Sequence, residues 1–317
     1  MKLFECQFCG QALFFENTHC ERCGHRLGYL PDATGMTALE PEASLWKPLA
    51  EPERRVRFCS NSQHDVCNWL VDQHSPEAFC LACRHNRTIP NLSEARNLQR
   101  WRHIEAAKRR LFYGLLRLRL PLLARQESPE GLAFDFLADP HEGIQDAGPT
   151  VLTGHDNGLI TLNLAEADDV ERERRRNQLG EPYRTLLGHF RHEVGHYFWD
   201  QLVRDNPARY REVFGDERAD YGKALKDYYA RGPRPDWRNA FVSPYASSHP
   251  WEDFAETWAH YLHMVDTLET AYAFGMHVEP LLGAAGQLAT AIDFDAYEVE
   301  AFEPLIQAWL PLTFAVN

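Results

Sequence analysis

The spacing of hydrophobic residues changes along the chain. Between Pro182 and Leu202, Leu186, Leu187, Phe190, Val194, Tyr197 and Phe198 recur at helical spacing. This predicts one amphipathic helix with Pro182 in its first position. Leu98, Trp101, Ile104, Leu111, Phe112 and Leu115 show the same period between Asn91 and Leu120. Asn91 or Ser93 can cap that longer helix, and Pro121 ends it. A third helix is predicted from Pro250 to Thr270, with Phe254, Trp258, Tyr261, Leu262 and Val265 on its apolar side. Strand-like runs cover Leu132 to Leu137 and Leu159 to Leu164, and Gly154-His155-Asp156-Asn157-Gly158 reads as a turn joining strands, with His155 a turn residue. Residues 205–240 mix helix and loop, broken at Gly232-Pro233 and Pro235. The charged run Glu171 to Arg176 reads as a solvated helix or loop. Residues 31–55, rich in Pro, Ala and Glu, read as a linker.

A chain of 317 residues allows about two domains and a substantial core. Hydrophobic content of 44% and charged content of 25% are ordinary for a soluble globular protein. No apolar run approaches a membrane span, and the N-terminal residues Met1 to Cys6 carry no apolar signal core. A cytoplasmic protein without a membrane partner is therefore expected. The net charge of −13 argues against a general nucleic-acid binder. The basic residues of the long helix, among them Arg96, Arg100, Lys108 and Arg117, read as a solvated face turned to acidic neighbours.

All eight cysteines lie before residue 84. In a cytosolic chain such a cluster points to metal, not disulfides. Cys6-x2-Cys9 and Cys20-x2-Cys23 are separated by ten residues, and Gly10 and Gly24 follow the two knuckles. Four thiolates suit tetrahedral zinc, so residues 1–30 read as a zinc ribbon folded by a structural ion. Cys59, Cys67, Cys80 and Cys83 suggest a second four-Cys zinc module over 56–88. The seven residues between Cys59 and Cys67 are an irregular spacing, and His64, His74 or His85 could replace one Cys.

The 182–202 helix contains His192-Glu193-Val194-Gly195-His196. Residues four apart on a helix share a face, so His192 and His196 can offer two imidazoles to one metal. Zinc with three protein ligands keeps a fourth position for water and lowers that water's pKa to about 7. Glu193, one step round, is placed to take the water's proton as general base. A third His six residues after His196 would mark metzincins, but that position holds Leu202. The third ligand is therefore sought on the 250–270 helix. Glu252 is preferred and Glu256 is the runner-up, with His249, His260 and His263 as further alternatives. If Glu252 ligates, Glu256 one turn on can accept a hydrogen bond from a ligand His.

His192-Glu193-x-x-His196, Tyr245 and Glu252-Asp253-Phe254-Ala255-Glu256 together resemble the active site of gluzincin peptidases of the anthrax lethal factor type. That resemblance implies Glu252 as third ligand and Tyr245 as proton donor. Over its length the chain resembles a bacterial family that joins an N-terminal zinc ribbon to a zinc metallopeptidase domain. The Cys pairs, His192 to His196, and the stretch from Tyr245 through Trp258-Ala259-His260-Tyr261-Leu262-His263 carry this match. The expected architecture is α+β: ribbon 1–30, linker 31–55, second four-Cys module 56–88, linking helix 89–125 and a zincin-like domain 126–317. The expected function is hydrolysis of peptide bonds in a peptide or protein substrate. One catalytic and two structural zinc ions are expected, with a ribbon surface for a protein partner. In zincins an edge strand can pair with an extended substrate. The rival reading is a zinc-dependent adaptor for protein or nucleic acid, with the peptidase fold as scaffold. The intact Glu193 favours the enzyme, because a scaffold needs the His pair but not the base.

Overall fold

The computed structural model describes residues 1–139, 151, 153–169, 172 and 185–317. Pro182, and the charged run 171–176 apart from Arg172, lie outside the described residues. The chain forms two compact units. One comprises Met1–Arg84, Phe112–Pro121 and His263–Asn317; the other comprises His85–Leu111 and Leu122–Leu262. Among the described residues no helix is long and apolar enough to cross a membrane.

In the first unit, β1 (Phe4–Glu5) and β2 (Ala12–Leu13) pair across the first Cys knuckle. An antiparallel sheet follows, in the order β3 (Arg26–Leu30), β4 (Gly35–Glu42), β5 (Leu45–Pro48), β6 (Val56–Phe58) and β7 (Leu70–Asp72). The expected linker 31–55 thus contains two whole strands of this sheet, β4 and β5. The β4–β5 hairpin is hard to see in the sequence because its reversal lacks the usual turn pair. Glu42 pairs with Leu45 across Ala43-Ser44, and the positive φ falls on Ala43 (55°), where glycine or asparagine would be the ordinary signal. Leu30, Leu39, Val56 and Leu70 form a core against which Trp46 and Phe58 pack. Gly28 is required here: a Cβ would lie 2.7 Å from the Leu70 side chain.

The same sheet explains the irregular second Cys spacing. Cys59 directly follows β6 and Cys67 shortly precedes β7, so antiparallel pairing brings both to one end. The seven residues between them are taken up by a 3-10 turn, Ser60–His64, closed by Asp65 at φ 55°.

The second unit holds a four-stranded sheet of β8 (Asn86–Thr88), β9 (Ala133–Leu137), β10 (Gly154–Asp156) and β11 (Leu159–Asn163), in the order β10-β11-β9-β8. β8, β9 and β11 run parallel, and β10 is antiparallel at the edge. The β10–β11 reversal is Asn157-Gly158, both at positive φ, as a type I′ hairpin requires. β10 thus occupies most of the stretch expected to be turn.

The long helix α1 (Ala95–Arg117) is packed, not a free connector. Within the second unit it buries Trp101, Ile104 and Leu111. Its basic residues do meet acids, Arg96 and Arg100 both reaching Asp168, but they do not form the solvated face expected, since Arg100, Lys108 and Arg109 are buried. Lys108, fully buried, bonds Glu105 at 2.8 Å. Helix α2 (Leu186–Leu202) starts at Thr185, whose hydroxyl accepts the Gly188 N–H at 2.9 Å. It buries Phe190, Val194, Tyr197 and Phe198, while Leu186 and Leu187 are half-buried. The short helices α3 (Ala208–Phe214), α4 (Tyr221–Arg231) and α5 (Trp237–Ala240) lead to α6 (Pro250–Ala273).

Helices α2 and α6 meet at Gly195. A Cβ there would sit 3.0 Å from Ala255 Cα and 3.3 Å from the Trp258 ring. Phe198 stacks on Trp258 one turn further along, with centroids 5.1 Å apart. Two small residues, Gly195 and Ala255, therefore set how closely the helix bearing His192 and His196 approaches the helix bearing Glu252.

Candidate metal centre

His192, His196 and Glu252 converge so that one ligand atom from each lies within 4.8 Å of the others. Glu252 is 1% exposed. Its Oε2 lies 3.0 Å from His192 Nε2 and 3.5 Å from His196 Nε2, and has no hydrogen-bond partner among the described residues. A tetrahedral zinc with ligands at 2.0–2.1 Å spaces its donor atoms about 3.3 Å apart. The chemistry and spacing of the three donors therefore fit that ion.

The outer atoms of two of the donors, His192 and Glu252, are held as well. His192 Nδ1 donates to Glu256 Oε1 at 2.7 Å, and Glu256 Oε2 accepts the Ser243 hydroxyl at 2.5 Å. Glu252 Oε1 accepts the Tyr221 hydroxyl at 2.6 Å. A carboxylate on the far nitrogen of a histidine fixes its tautomer and leaves the other nitrogen free for a metal. Burial opposes charging of His192, but the adjacent Glu252 and Glu256 carboxylates outweigh it and raise its pKa well above the usual value. In the same way burial opposes charging of Glu252, and the two imidazoles lower its pKa well below the usual carboxylate range. This carboxylate-rich pocket has a strong preference for positive charge.

The other sequence candidates have different positions. The His249 ring is buried, with Nε2 donating to the Ala219 carbonyl at 3.1 Å and Nδ1 accepting the Trp251 N–H at 3.1 Å. His260 Nδ1 donates to the Glu256 carbonyl at 2.8 Å, and His263 is exposed. None of the three joins the His192, His196 and Glu252 group. Glu193 is half-buried, and its charge is felt by both Tyr221 and Tyr245. The Tyr245 ring lies 6.0 Å from that of His192 and 5.5 Å from that of Tyr228. Burial, then the charge of Glu252, raises the Tyr245 pKa, so the phenol keeps its proton. Its hydroxyl makes no hydrogen bond to a described residue.

Three further neighbours surround the site without being among the sequence candidates for it. Tyr221, on α4, is far from Glu252 in sequence and no motif marks it. Trp251 packs edge-on to His196 at 6.2 Å. His155, on the edge strand β10, stacks on His196 with centroids 6.0 Å apart. Its Nε2 accepts the Gly158 N–H at 2.9 Å, and burial, then the nearness of His196, lowers its pKa to about 4. Trp251 adjoins Glu252 in the stretch that carries the family resemblance, whereas Tyr221 and His155 have no motif around them.

The two Cys sets also converge. Cys6, Cys9, Cys20 and Cys23 form one group and Cys59, Cys67, Cys80 and Cys83 the other, without a histidine in either. The Cys6–Cys23, Cys9–Cys20 and Cys67–Cys80 sulfurs are 3.7, 3.6 and 3.7 Å apart. That is far beyond a disulfide and matches the roughly 3.8 Å expected around zinc at 2.3 Å. The Cys80 N–H points at Cys59 Sγ and the Trp69 N–H at Cys67 Sγ, as suits thiolates. The second group is buried throughout, and in the first Cys9 and Cys23 are half-exposed. Both sets have the donor chemistry of zinc sites.

Comparison with known proteins gives two zinc-binding families. Residues 97–317 match a family described as "Putative zinc-binding metallo-peptidase", and residues 3–94 match a zinc-ribbon domain. Uncharacterized proteins of Mycobacterium bovis and of Mycobacterium tuberculosis are each 40% identical to the chain, covering 100% of it and 86% of their own length. No solved structure matches. The chain belongs to this zinc-binding metallopeptidase family, with a zinc-ribbon domain ahead of the peptidase domain.

Proposed function

We propose that the chain is a gluzincin-type peptidase that hydrolyses peptide bonds, with His192, His196 and Glu252 as ligands of a catalytic zinc and the eight cysteines as ligands of two structural ions. The observation that carries this reading is the buried Glu252 Oε2, which faces both imidazoles while Glu256 holds the far nitrogen of His192. When bound, zinc would polarise the scissile carbonyl and acidify water.

The protein's own groups supply the remaining chemistry. Glu193 takes a proton from the attacking water and delivers it to the leaving amine. The Tyr245 phenol, protonated and without a described partner, donates to the carbonyl oxygen as negative charge gathers there. An extended substrate fits the edge strand β10, whose His155 lies against His196. Glu256 and Ser243 act only through His192, which they keep in the tautomer that presents Nε2. The ribbon region is the proposed surface for a protein partner.

The test compares active protein with Glu193→Gln in cells, using a proteome-wide search for new termini. Glu193→Gln should retain its zinc and its fold and lose the cleaved termini, since general-base catalysis contributes about 10²–10⁴-fold. Identical termini from both proteins would favour the adaptor reading and remove Glu193 from the mechanism.

A further inference from the structure

Tyr221 is the first residue of α4, whose start is capped by Asp220 accepting the Lys223 N–H at 2.9 Å. No residue of this helix is buried, so core burial does not explain its position. It is attached through its tyrosines. Tyr228 packs edge-on to Tyr245, and Tyr221 packs edge-on to His249 and Trp251 at 5.2 and 6.1 Å. The chain just before Tyr221 is pinned from the same side. His249 donates to the Ala219 carbonyl and accepts from the Trp251 N–H. Both hydrogen bonds of one buried imidazole thus tie the approach to Tyr221 to the first turn of α6, where Glu252 sits.

We propose that Tyr221 is a positioning residue for the metal centre: its hydroxyl holds Glu252 Oε1, so that Oε2 alone faces His192 and His196. The inference rests on the reading of Glu252 as a ligand. A carboxylate with both oxygens free can swing about its side-chain torsions or share a metal between them. With Oε1 engaged at 2.6 Å, the rotation is stopped and one lone-pair direction is presented to the imidazoles. Tyr221 is to Glu252 what Glu256 is to His192, and the two tethers approach from different segments. Partners of this kind are worth about 10–100-fold in metal affinity when removed.

The test measures zinc affinity by chelator competition on the purified full chain, together with thermal unfolding of the zinc-free form. Tyr221→Phe keeps the ring packing and deletes only the hydroxyl. It should weaken one of the three zinc ions about 10–100-fold, leave the other two in place and leave the zinc-free melting temperature unchanged. Tyr229→Phe, at an exposed ring on the same helix, should change none of these. Glu252→Ala serves as the reference and should abolish that one ion. A Tyr221→Phe affinity within threefold of the parent, with Glu252→Ala still losing the ion, overturns the positioning role while sparing the ligand reading. A Glu252→Ala protein that keeps three ions overturns the ligand reading itself. A Tyr221→Phe protein whose zinc-free form melts early marks Tyr221 as a fold residue and overturns the positioning role too.

Discussion

Gly195→Ala is the sharpest probe of how the metal centre is assembled. In an ordinary helix interior this substitution stabilises by about 0.5–1 kcal/mol, because glycine loses more backbone entropy and alanine is the best helix former. Here the new methyl carbon would stand 3.0 Å from Ala255 Cα, 3.3 Å from Trp258 Cδ1 and 3.4 Å from Ala255 Cβ. Carbon atoms pack best at about 3.5–4.0 Å. The closest contact is backbone, so it cannot be relieved by a rotamer change. The helices α2 and α6 must part by about 0.5 Å, and overpacking of this kind costs about 1–3 kcal/mol. Subtracting the propensity gain leaves a net loss of roughly 0–2.5 kcal/mol. The same displacement moves His192 and His196 away from Glu252 Oε2, which now lies 3.0 and 3.5 Å from their Nε2 atoms. Denaturant unfolding of the zinc-free chain reads the first effect, and chelator competition reads the second. Zinc affinity at this one centre should fall at least tenfold, with the Cys sites untouched. A Gly195→Ala protein that is about 1 kcal/mol more stable and binds all its zinc as tightly as the parent would refute the argument.

Elemental analysis of purified protein should find three zinc ions per chain, and Cys6→Ser with Cys9→Ser should remove one while leaving the peptidase ion in place. Tyr245→Phe should leave zinc content and melting temperature near those of the parent and lower kcat by about 10²–10³, with a smaller change in KM. Turnover within about threefold of the parent would exclude the hydroxyl from the mechanism. Gly28→Ala should cost about 1–3 kcal/mol in thermal unfolding, because its Cβ would lie 2.7 Å from Leu70, without altering kcat.

Much of the centre was legible in the sequence because its signals are local. The spacing of His192 and His196 is a property of one helix, and Cys-x2-Cys pairs form knuckles wherever they fall. Helix α6 begins at Pro250 as its sequence predicts, and Glu252 and Glu256 share a face through the same four-residue period. That one face turns out to hold two distinct contacts, Oε2 of Glu252 beside the imidazole Nε2 atoms and Glu256 on His192 Nδ1. Periodicity could name both residues but not divide these contacts between them.

What the tertiary structure alone decided involves residues far apart in the chain, or turns without their usual signals. Residues 31–55 have the composition of a linker, yet strand pairing through Ala43-Ser44 makes them the middle of a sheet. Cys59 and Cys67 look mis-spaced until antiparallel β6 and β7 bring them to one end. Tyr221 has no motif around it, and its hydrogen bond to Glu252 exists because His249 and Ala219 fold one segment back onto α6. His155 lies on a strand, apart from the helices that carry His192, His196, Tyr221 and Glu252, and meets the centre by stacking on His196. The sequence by itself determined the donor types and the helices that carry them, since both follow from local periodicity and donor chemistry. The distance between those helices, and the groups that fix the outer atoms of His192 and Glu252, depended on packing between distant segments, which no local pattern encodes.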